Sequence, residues 1–197
     1  ANDFPILEFI GGRKKRDSLY TKLLSKPDVS ASQIYDKVRF RIVTRTVDDV
    51  FPVLNYVQRS LVPFNYVIPG QSTNTLLRFH SYCQSEPALA KLVPNLQLPL
   101  DVEDGLSAID NRFTAPSYRI VHFVADVPVR VPDKVLGAAP PATEGLGHTI
   151  FVQTEFQVLD RATDESNEAG DASHQAYKER QKLAVMHRLK VGRFTKS

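Results

Sequence analysis

The chain has 197 residues, of which 42% are apolar and 24% charged, and its formal net charge is +3. This composition is typical of a single globular domain with an apolar core. A single cysteine, Cys83, excludes a disulfide framework and a cysteine-rich zinc site, and it favours a cytoplasmic location. No membrane-spanning run is predicted. Because the sequence begins with Ala1 rather than Met, we expect a trimmed chain or a domain of a longer protein.

The first half of the chain predicts a helix, a strand, a helix and a short strand. Residues 17–25 read as a helix that Asp17 caps. Residues 37–46 alternate basic and apolar side chains, which predicts a strand, and residues 47–61 have helical spacing of their apolar residues. A short strand over 64–68 should end at the following Pro-Gly pair.

The second half is less regular at first and then ends in a strong strand. Residues 70–115 predict only a helix near 86–92, and a β-branched, aromatic strand follows over 118–127. Prolines and glycines make 131–147 a predicted loop. Residues 149–159 alternate as a strand, and 164–189 read as one long helix. With no repeat or linker, the whole chain, 1–197, predicts one α+β domain, a mixed β-sheet flanked by helices.

Two strands carry side chains that suit phosphate chemistry. Glu155 lies mid-strand on the face of Gln153 and Gln157, which suits a metal site or a general base, or else an exposed sheet face. Asp36 precedes the strand that carries Arg41. These two residues could serve a phosphate site, or Asp36 could cap the strand while Arg41 lies on its exposed face. Lysines and arginines cluster in residues 11–16 and 178–196, which favours polyphosphate or nucleic-acid partners or a solvated surface.

The segment from Glu155 to Lys178 resembles the end of the synthetase domain of RelA/SpoT-type alarmone synthetases. There, Glu-x-Gln-x-Arg-Thr leads into a helix and His-x-x-Tyr-Lys. Three earlier segments resemble that family in the same order. They are an Arg-x-Lys…Ser-x-x-x-Lys element over 12–22, an Asp-x-x-x-x-Arg element and a Gly-Tyr-x-Ser-x-His strand over 117–122. In this chain they supply Arg13, Lys15, Ser18 and Lys22, then Asp36 and Arg41, and then Tyr118 and His122.

The resemblance implies a nucleotidyltransferase-like fold and Mg²⁺-dependent transfer of pyrophosphate from ATP to the 3′-hydroxyl of a GDP- or GTP-like nucleotide. Asp36 and Glu155 would hold Mg²⁺, and Glu155 would also take the hydroxyl proton. The donor would be bound by Arg13, Lys15, Ser18, Lys22 and Arg41. Tyr118 would stack on the acceptor base, with His122 and Gln157 close to the same pocket.

Several departures from the family pattern fall on the acceptor side. Ala115, Pro116 and Ser117 replace a Lys and an Asn-Gly pair, and Leu159-Asp160 replaces Arg-Thr. Asp164 stands where the family has His. Insertions are expected near 70–115 and 131–147. The added carboxylates should make this pocket less favourable to a phosphorylated guanosine.

These departures leave alternatives open. One is a toxin-like relative that pyrophosphorylates the 3′ end of tRNA or makes an adenosine alarmone. Another is a catalytically silent module that senses a nucleotide or docks a partner. Family members often self-associate, so a homo-oligomer also stays open.

Overall fold

The computed structural model describes residues 4–25, 37–78, 83–85, 87–91, 94 and 113–194. Strands β1 to β5 are Ile6–Arg13, Val38–Thr44, Val67–Asn74, Val121–Arg130 and Thr149–Asp160. Helices α1 to α6 are Arg16–Ser25, Val50–Ser60, Pro87–Ala90, Asp133–Leu136, Arg161–Asn167 and His174–Phe194. Short 3₁₀ turns are Phe64–Tyr66, Pro141–Leu146 and Gly170–Ala172. The predicted α+β fold with a mixed sheet is confirmed.

The five strands form one sheet in the order β1-β2-β5-β4-β3. Strands β2 and β5 run parallel, whereas the other neighbours run antiparallel. The central strand, β5, is buried from Thr154 to Asp160. Because β5 pairs along its length with both β2 and β4, polar residues of these three strands are brought side by side.

One face of the sheet is apolar and packs against α2. Ile42 and Val158 of the sheet form a cluster with Val50, Val53 and Val57 of the helix, and all five are at most 2% exposed. Burial of each such side chain contributes about 1.5–3 kcal/mol. Three phenylalanines extend this face, since the Phe156 ring lies 5.0 Å from Phe123 and 5.7 Å from Phe40. This layer makes the sheet a rigid base for its other face.

Strand β1 was not predicted from the sequence. Its Gly11-Gly12 pair weakens the strand pattern, because glycine is disfavoured in strands. The structure explains Gly11, since a Cβ at this position would lie 3.1 Å from the ring of Phe40. Glycine therefore lets an edge strand lie close to the aromatic layer.

The prediction that Pro69-Gly70 ends a strand over 64–68 was wrong. A 3₁₀ turn occupies Phe64–Tyr66, and β3 begins at Val67 and continues through the Pro-Gly pair to Asn74. Its pairing with β4 jumps from Val67 to Ser72, so the pair lies in a wide irregularity of the edge strand. Proline is tolerated there because the position requires no ladder hydrogen bond.

The predicted single helix over 164–189 is two helices, which corrects that prediction. Helix α5 starts at Arg161, and the Asp160 side chain caps it by accepting hydrogen bonds from the backbone N–H groups of Ala162 and Thr163. Gly170 has a φ of +56°, a left-handed conformation that interrupts the helical path before α6. The break matters because it lets α5 lie across the sheet.

The predicted loop over 131–147 also needs correction, because it contains α4 and a 3₁₀ turn over Pro141–Leu146. Pro132 and Pro140 stand at the N-caps of these elements, where proline is compatible with a helix start. Most of the expected insertion over 70–115 lies outside the described residues. Among those described, no helix is long and apolar enough to cross a membrane.

Candidate functional site

The second face of the sheet carries a cluster of polar side chains, hereafter the polar face. The register places His122, Gln157 and Arg41 in one cross-strand row on β4, β5 and β2. In the next row, Glu155 of β5 lies beside Arg39 of β2. Alternation puts these five side chains on one side of the sheet, opposite the phenylalanine layer. The structure thus brings together Arg41, His122, Glu155 and Gln157, four of the residues predicted from sequence.

Glu155 lies at the centre of the polar face and is 6% exposed. Nε2 of Gln157 donates a hydrogen bond to its Oε1 at 2.8 Å, and Nε2 of His122 lies 3.2 Å from the same oxygen. The two neighbours orient the carboxylate plane. A buried, oriented carboxylate can accept a proton from a bound hydroxyl or contribute an oxygen ligand to a hard cation.

Arg41 is held by carboxylates of the helix above it. Its guanidinium forms an ion pair with Asp164 of α5, and its Nη1 lies 3.7 Å from Oε1 of Glu168. The Arg41 and Asp164 side chains are about one-fifth exposed, so solvent still reaches the pair. A phosphate that binds Arg41 must therefore compete with Asp164.

Tyr118 lies just before β4, within the electrostatic field of these groups. Burial raises its pKa above the usual 10, and Glu155 and Glu168 act in the same direction, whereas Arg41 and Arg39 oppose the rise. The hydroxyl is therefore protonated at neutral pH and lies near the Arg41 and Glu155 groups. Tyr118, which the resemblance implies would contact the acceptor, therefore lies close to the polar face.

The predicted donor residues lie at the edge formed by β1 and α1. Arg13 and Lys15 are exposed, whereas Ser18 and Lys22 are half-buried in α1. The register pairs Gly12 with Arg39 and Arg13 with Val38, so strand alternation puts Arg13 on the apolar side of the sheet. A Cβ at Gly12 would meet no atom within 4 Å, so there is open space beside Arg39.

A second group of basic residues was not named among the predicted site residues, although two of its members, Lys14 and Lys178, lie in the basic clusters that favour polyphosphate partners. The pKa of the largely exposed His174 is lowered first by its partial burial and then by the positive charges of Lys178, Arg39 and Lys14, against an opposing effect of Glu168. These groups therefore lie close enough for their charges to change the pKa of His174. Their sequence signals were the basic run at Lys14 and the His-x-x-Tyr-Lys motif at the start of α6. Together they make this end of the polar face attractive to an anion.

The carboxylates that depart from the family pattern are engaged in local contacts. Asp160 caps α5 and is 3% exposed, and Asp164 pairs with Arg41. Arg161, beside them, pairs with Glu8 of β1. Their effect on an acceptor is therefore reduced by helix capping and by ion pairing.

The predicted magnesium site is described only in part, because Asp36 lies outside the described residues. Among the described residues, no group of three His, Cys, Asp or Glu side chains could hold a metal. Glu155 nevertheless fits one position of such a site, because Mg²⁺ is commonly held by one or two carboxylates together with substrate phosphates. The remaining ligands would then come from the nucleotide and from water.

No protein-family profile matches the sequence, and no curated protein matches it either. Solved structures do match. Small alarmone synthetase 1 from Bacillus subtilis, bound to its product pppGpp, is 14% identical, with 97% of this chain and 76% of that chain covered and a TM-score of 0.50. Small alarmone synthetase 2 from the same organism is 16% identical, with coverages of 98% and 83% and a TM-score of 0.45. A GTP pyrophosphokinase family protein from Streptococcus pneumoniae is 14% identical, with coverages of 97% and 74% and a TM-score of 0.46.

At these identities the likeness concerns the fold. The chain has the fold of a RelA/SpoT-like small alarmone synthetase, which confirms, for the fold, the resemblance seen in four short motifs. The low identity marks the chain as a divergent example of that fold.

Proposed function

We propose that the polar face is a Mg²⁺-dependent diphosphotransfer site that moves pyrophosphate from ATP to the 3′-hydroxyl of a nucleotide, with GDP or GTP as the expected acceptor. The proposal is supported most by the Glu155 centre. A buried carboxylate contacts Gln157 and His122 and lies beside two arginines on the neighbouring strand. The fold shared with an enzyme that was solved with pppGpp agrees with this chemistry.

In the proposed reaction, the acceptor 3′-oxygen bonds to the β-phosphorus of ATP. The bond from that phosphorus to the oxygen bridging the α-phosphate breaks, and AMP leaves. Glu155 takes the hydroxyl proton while Gln157 and His122 hold its carboxylate in place. Arg39, Lys14 and Lys178, whose charges act together on His174, would counter the charge of the triphosphate. When bound at Glu155, Mg²⁺ would neutralise charge on the phosphate oxygens.

The acceptor is proposed to lie on the β4 side of Glu155, with its base against Tyr118. The donor would lie on the β1 and β2 side, near Lys15, Ser18 and Lys22. Glu155 is on the strand between these two sides, as in-line transfer from one nucleotide to the other requires.

The test is a transfer assay with Mg²⁺ and ATP labelled at the β-phosphate. GDP, GTP, ADP and deacylated tRNA are supplied separately as acceptors. Transfer of label to GDP or GTP that is lost in Glu155→Ala supports the proposal, and transfer to tRNA or ADP would assign the chemistry to that acceptor instead. Binding of ATP without transfer to any acceptor contradicts it. Arg130→Ala, on an exposed strand end of the sheet, is a matched control that should retain activity.

A silent nucleotide-sensing module is the second candidate, and the ion pair between Arg41 and Asp164 favours it. An arginine that a carboxylate already neutralises would contribute less to stabilising the charge that develops on the transferred phosphate. The same assay, combined with calorimetric titration of ATP, separates the two candidates. The sensing function requires saturable ATP binding without transfer, both in wild type and in Asp164→Asn.

A further inference from the structure

Asn167, the last residue of α5, is a fully buried amide that the sequence motifs do not single out. It is 2% exposed, and both ends of its side chain are hydrogen-bonded to a single residue. Its Nδ2 donates to the carbonyl of Arg119 at 2.7 Å, and its Oδ1 accepts from the backbone N–H of Arg119 at 3.0 Å. An amide can replace the edge of a neighbouring strand in this way because it carries a donor and an acceptor side by side.

The sheet explains why such a substitute is needed. Val121 of β4 pairs with Val158 of β5, so residue 119 would face Asp160 if the ladder continued. Strand β5 ends at Asp160, however, and the chain turns into α5. The pairing of β4 with β5 stops at Val121 and Val158, and the backbone N–H and carbonyl of Arg119 are bonded to the Asn167 side chain instead.

The other side of the same segment is held by Thr75. The backbone N–H of Thr75 donates to the carbonyl of Ile120 at 2.9 Å, and its Oγ1 accepts from the N–H of Ile120 at 2.9 Å. The same hydroxyl lies 3.2 Å from the carbonyl of Tyr118. Residues 118–120 are therefore clamped between a side chain of α5 and a side chain that follows β3, although they belong to no strand.

This clamp includes the backbone carbonyl of Tyr118. Tyr118 directly precedes Arg119, whose backbone Asn167 holds, and the charges of Arg41, Glu155, Arg39 and Glu168 act on its hydroxyl. Helix α5 also carries Asp164, three residues before Asn167, which holds Arg41. One helical turn of α5 thus contacts Arg41 and the residue that follows Tyr118.

We propose that Asn167 is a positioning residue that, through the backbone of Arg119, sets Tyr118 at the acceptor side of the polar face. The functional part of this proposal rests on the proposed function, because it assumes that Tyr118 stacks on the acceptor base. Base stacking on an aromatic ring contributes enough that its loss should raise the acceptor KM about tenfold. The affinity for ATP should not change, because Lys15, Ser18 and Lys22 lie across the sheet and the ion pair between Arg41 and Asp164 does not involve the Asn167 side chain.

The first measurement is independent of activity. Spectrophotometric titration of tyrosinate, with Tyr118→Phe subtracted, follows the ionisation of Tyr118 alone. Asn167→Ala should lower the pKa of Tyr118 towards 10, because the ring loses its buried position. Val57→Ala, in the core beneath the opposite face, is the matched control and should leave this pKa unchanged. Thr75→Val removes the hydroxyl on the other side of the clamp and tests the same segment should Asn167→Ala fold poorly.

The second measurement is the KM for the acceptor and the Kd for ATP in the same variants. A lower Tyr118 pKa together with a raised acceptor KM and an unchanged Kd for ATP supports the proposal. An unchanged Tyr118 titration, or equal effects of Asn167→Ala and Val57→Ala, overturns it. A lower pKa with an unchanged KM overturns the functional role. If wild type transfers nothing, the proposed function fails, and the titration still decides whether Asn167 sets the position of Tyr118.

Discussion

The substitution Glu155→Gln should abolish transfer while leaving the fold nearly as stable as wild type. Glu155 accepts a hydrogen bond from Gln157 and is 6% exposed. A hydrogen bond to a charged group contributes about 1.5–3 kcal/mol. Burial of the carboxylate costs several kcal/mol in the opposite direction. Because Gln keeps an oxygen for Gln157 and removes the charge, the two changes should cancel to within about 1 kcal/mol.

The kinetic effect should be far larger than this stability effect. Loss of a general base alone slows a reaction roughly 10²–10⁴-fold, or about 3–5 kcal/mol in the barrier. A change of 1 kcal/mol in stability corresponds to about 2–4 °C in Tm for a chain of this size. Glu155→Gln should therefore unfold within about 4 °C of wild type and show no measurable transfer.

Thermal unfolding by circular dichroism and the labelled-phosphate assay on the same preparation test this prediction. A fall in Tm beyond about 10 °C would show that Glu155 holds the sheet together rather than serving the site. Transfer within tenfold of the wild-type rate would refute its proposed role in proton removal.

Three further predictions concern the groups around Glu155 and the packing beneath it. Asp164→Asn should release Arg41 and strengthen ATP binding roughly fivefold, or about 1 kcal/mol; unchanged affinity by calorimetry would show that Arg41 does not bind the donor. Saturating ATP should raise the pKa of His174, measured by NMR with His174→Gln to assign the resonance, because the triphosphate neutralises the positive charges that lower it. A pKa that stays low would place the triphosphate elsewhere. Val57→Ala should destabilise the fold by roughly 2 kcal/mol in urea unfolding, and a loss below about 0.5 kcal/mol would contradict the packing described for α2.

The free energy of unfolding at acidic pH should also depend on the titration of His174. Its folded-state pKa lies below the unfolded value of 6.5, so the unfolded chain binds this proton first as the pH falls. The stability contributed by neutral His174 is complete above pH 6.5 and is lost on acidification below that value. His174→Gln should remove this part of the acid sensitivity, and because the side chain is exposed the effect should be small.

The strands at the centre of the sheet could be predicted because each satisfies a local pattern. Strand β5 alternates Glu155 and Gln157 with apolar residues, and this period-2 alternation identifies it as a strand. Strand β1 could not be predicted in this way, because Gly11 is explained only by the ring of Phe40, a residue distant in sequence. The break at Gly170 also resisted prediction, because one glycine inside a helical pattern costs only about 1 kcal/mol and only the backbone geometry shows the interruption.

The same distinction between local patterns and long-range contacts applies to the candidate site. The shared face of Glu155 and Gln157 could be predicted from the alternation of β5, whereas the place of His122 in the site was implied by the resemblance to the family. The partner of Arg41 could not be predicted, because nothing local to β2 indicates that a helix more than a hundred residues later will supply Asp164. The hydrogen bonds of Asn167 to Arg119, 48 residues earlier, are hidden for the same reason.

The products of a single reaction test the central claim most directly. Diphosphotransfer breaks the bond between the α-bridging oxygen and the β-phosphorus, so AMP must appear in step with an acceptor that carries two added phosphates. Chromatography of a reaction containing ATP, Mg²⁺ and GDP or GTP measures both. Equal amounts of AMP and diphosphorylated acceptor are the predicted result. Formation of ADP, or of AMP without a modified acceptor, would contradict diphosphotransfer on the polar face.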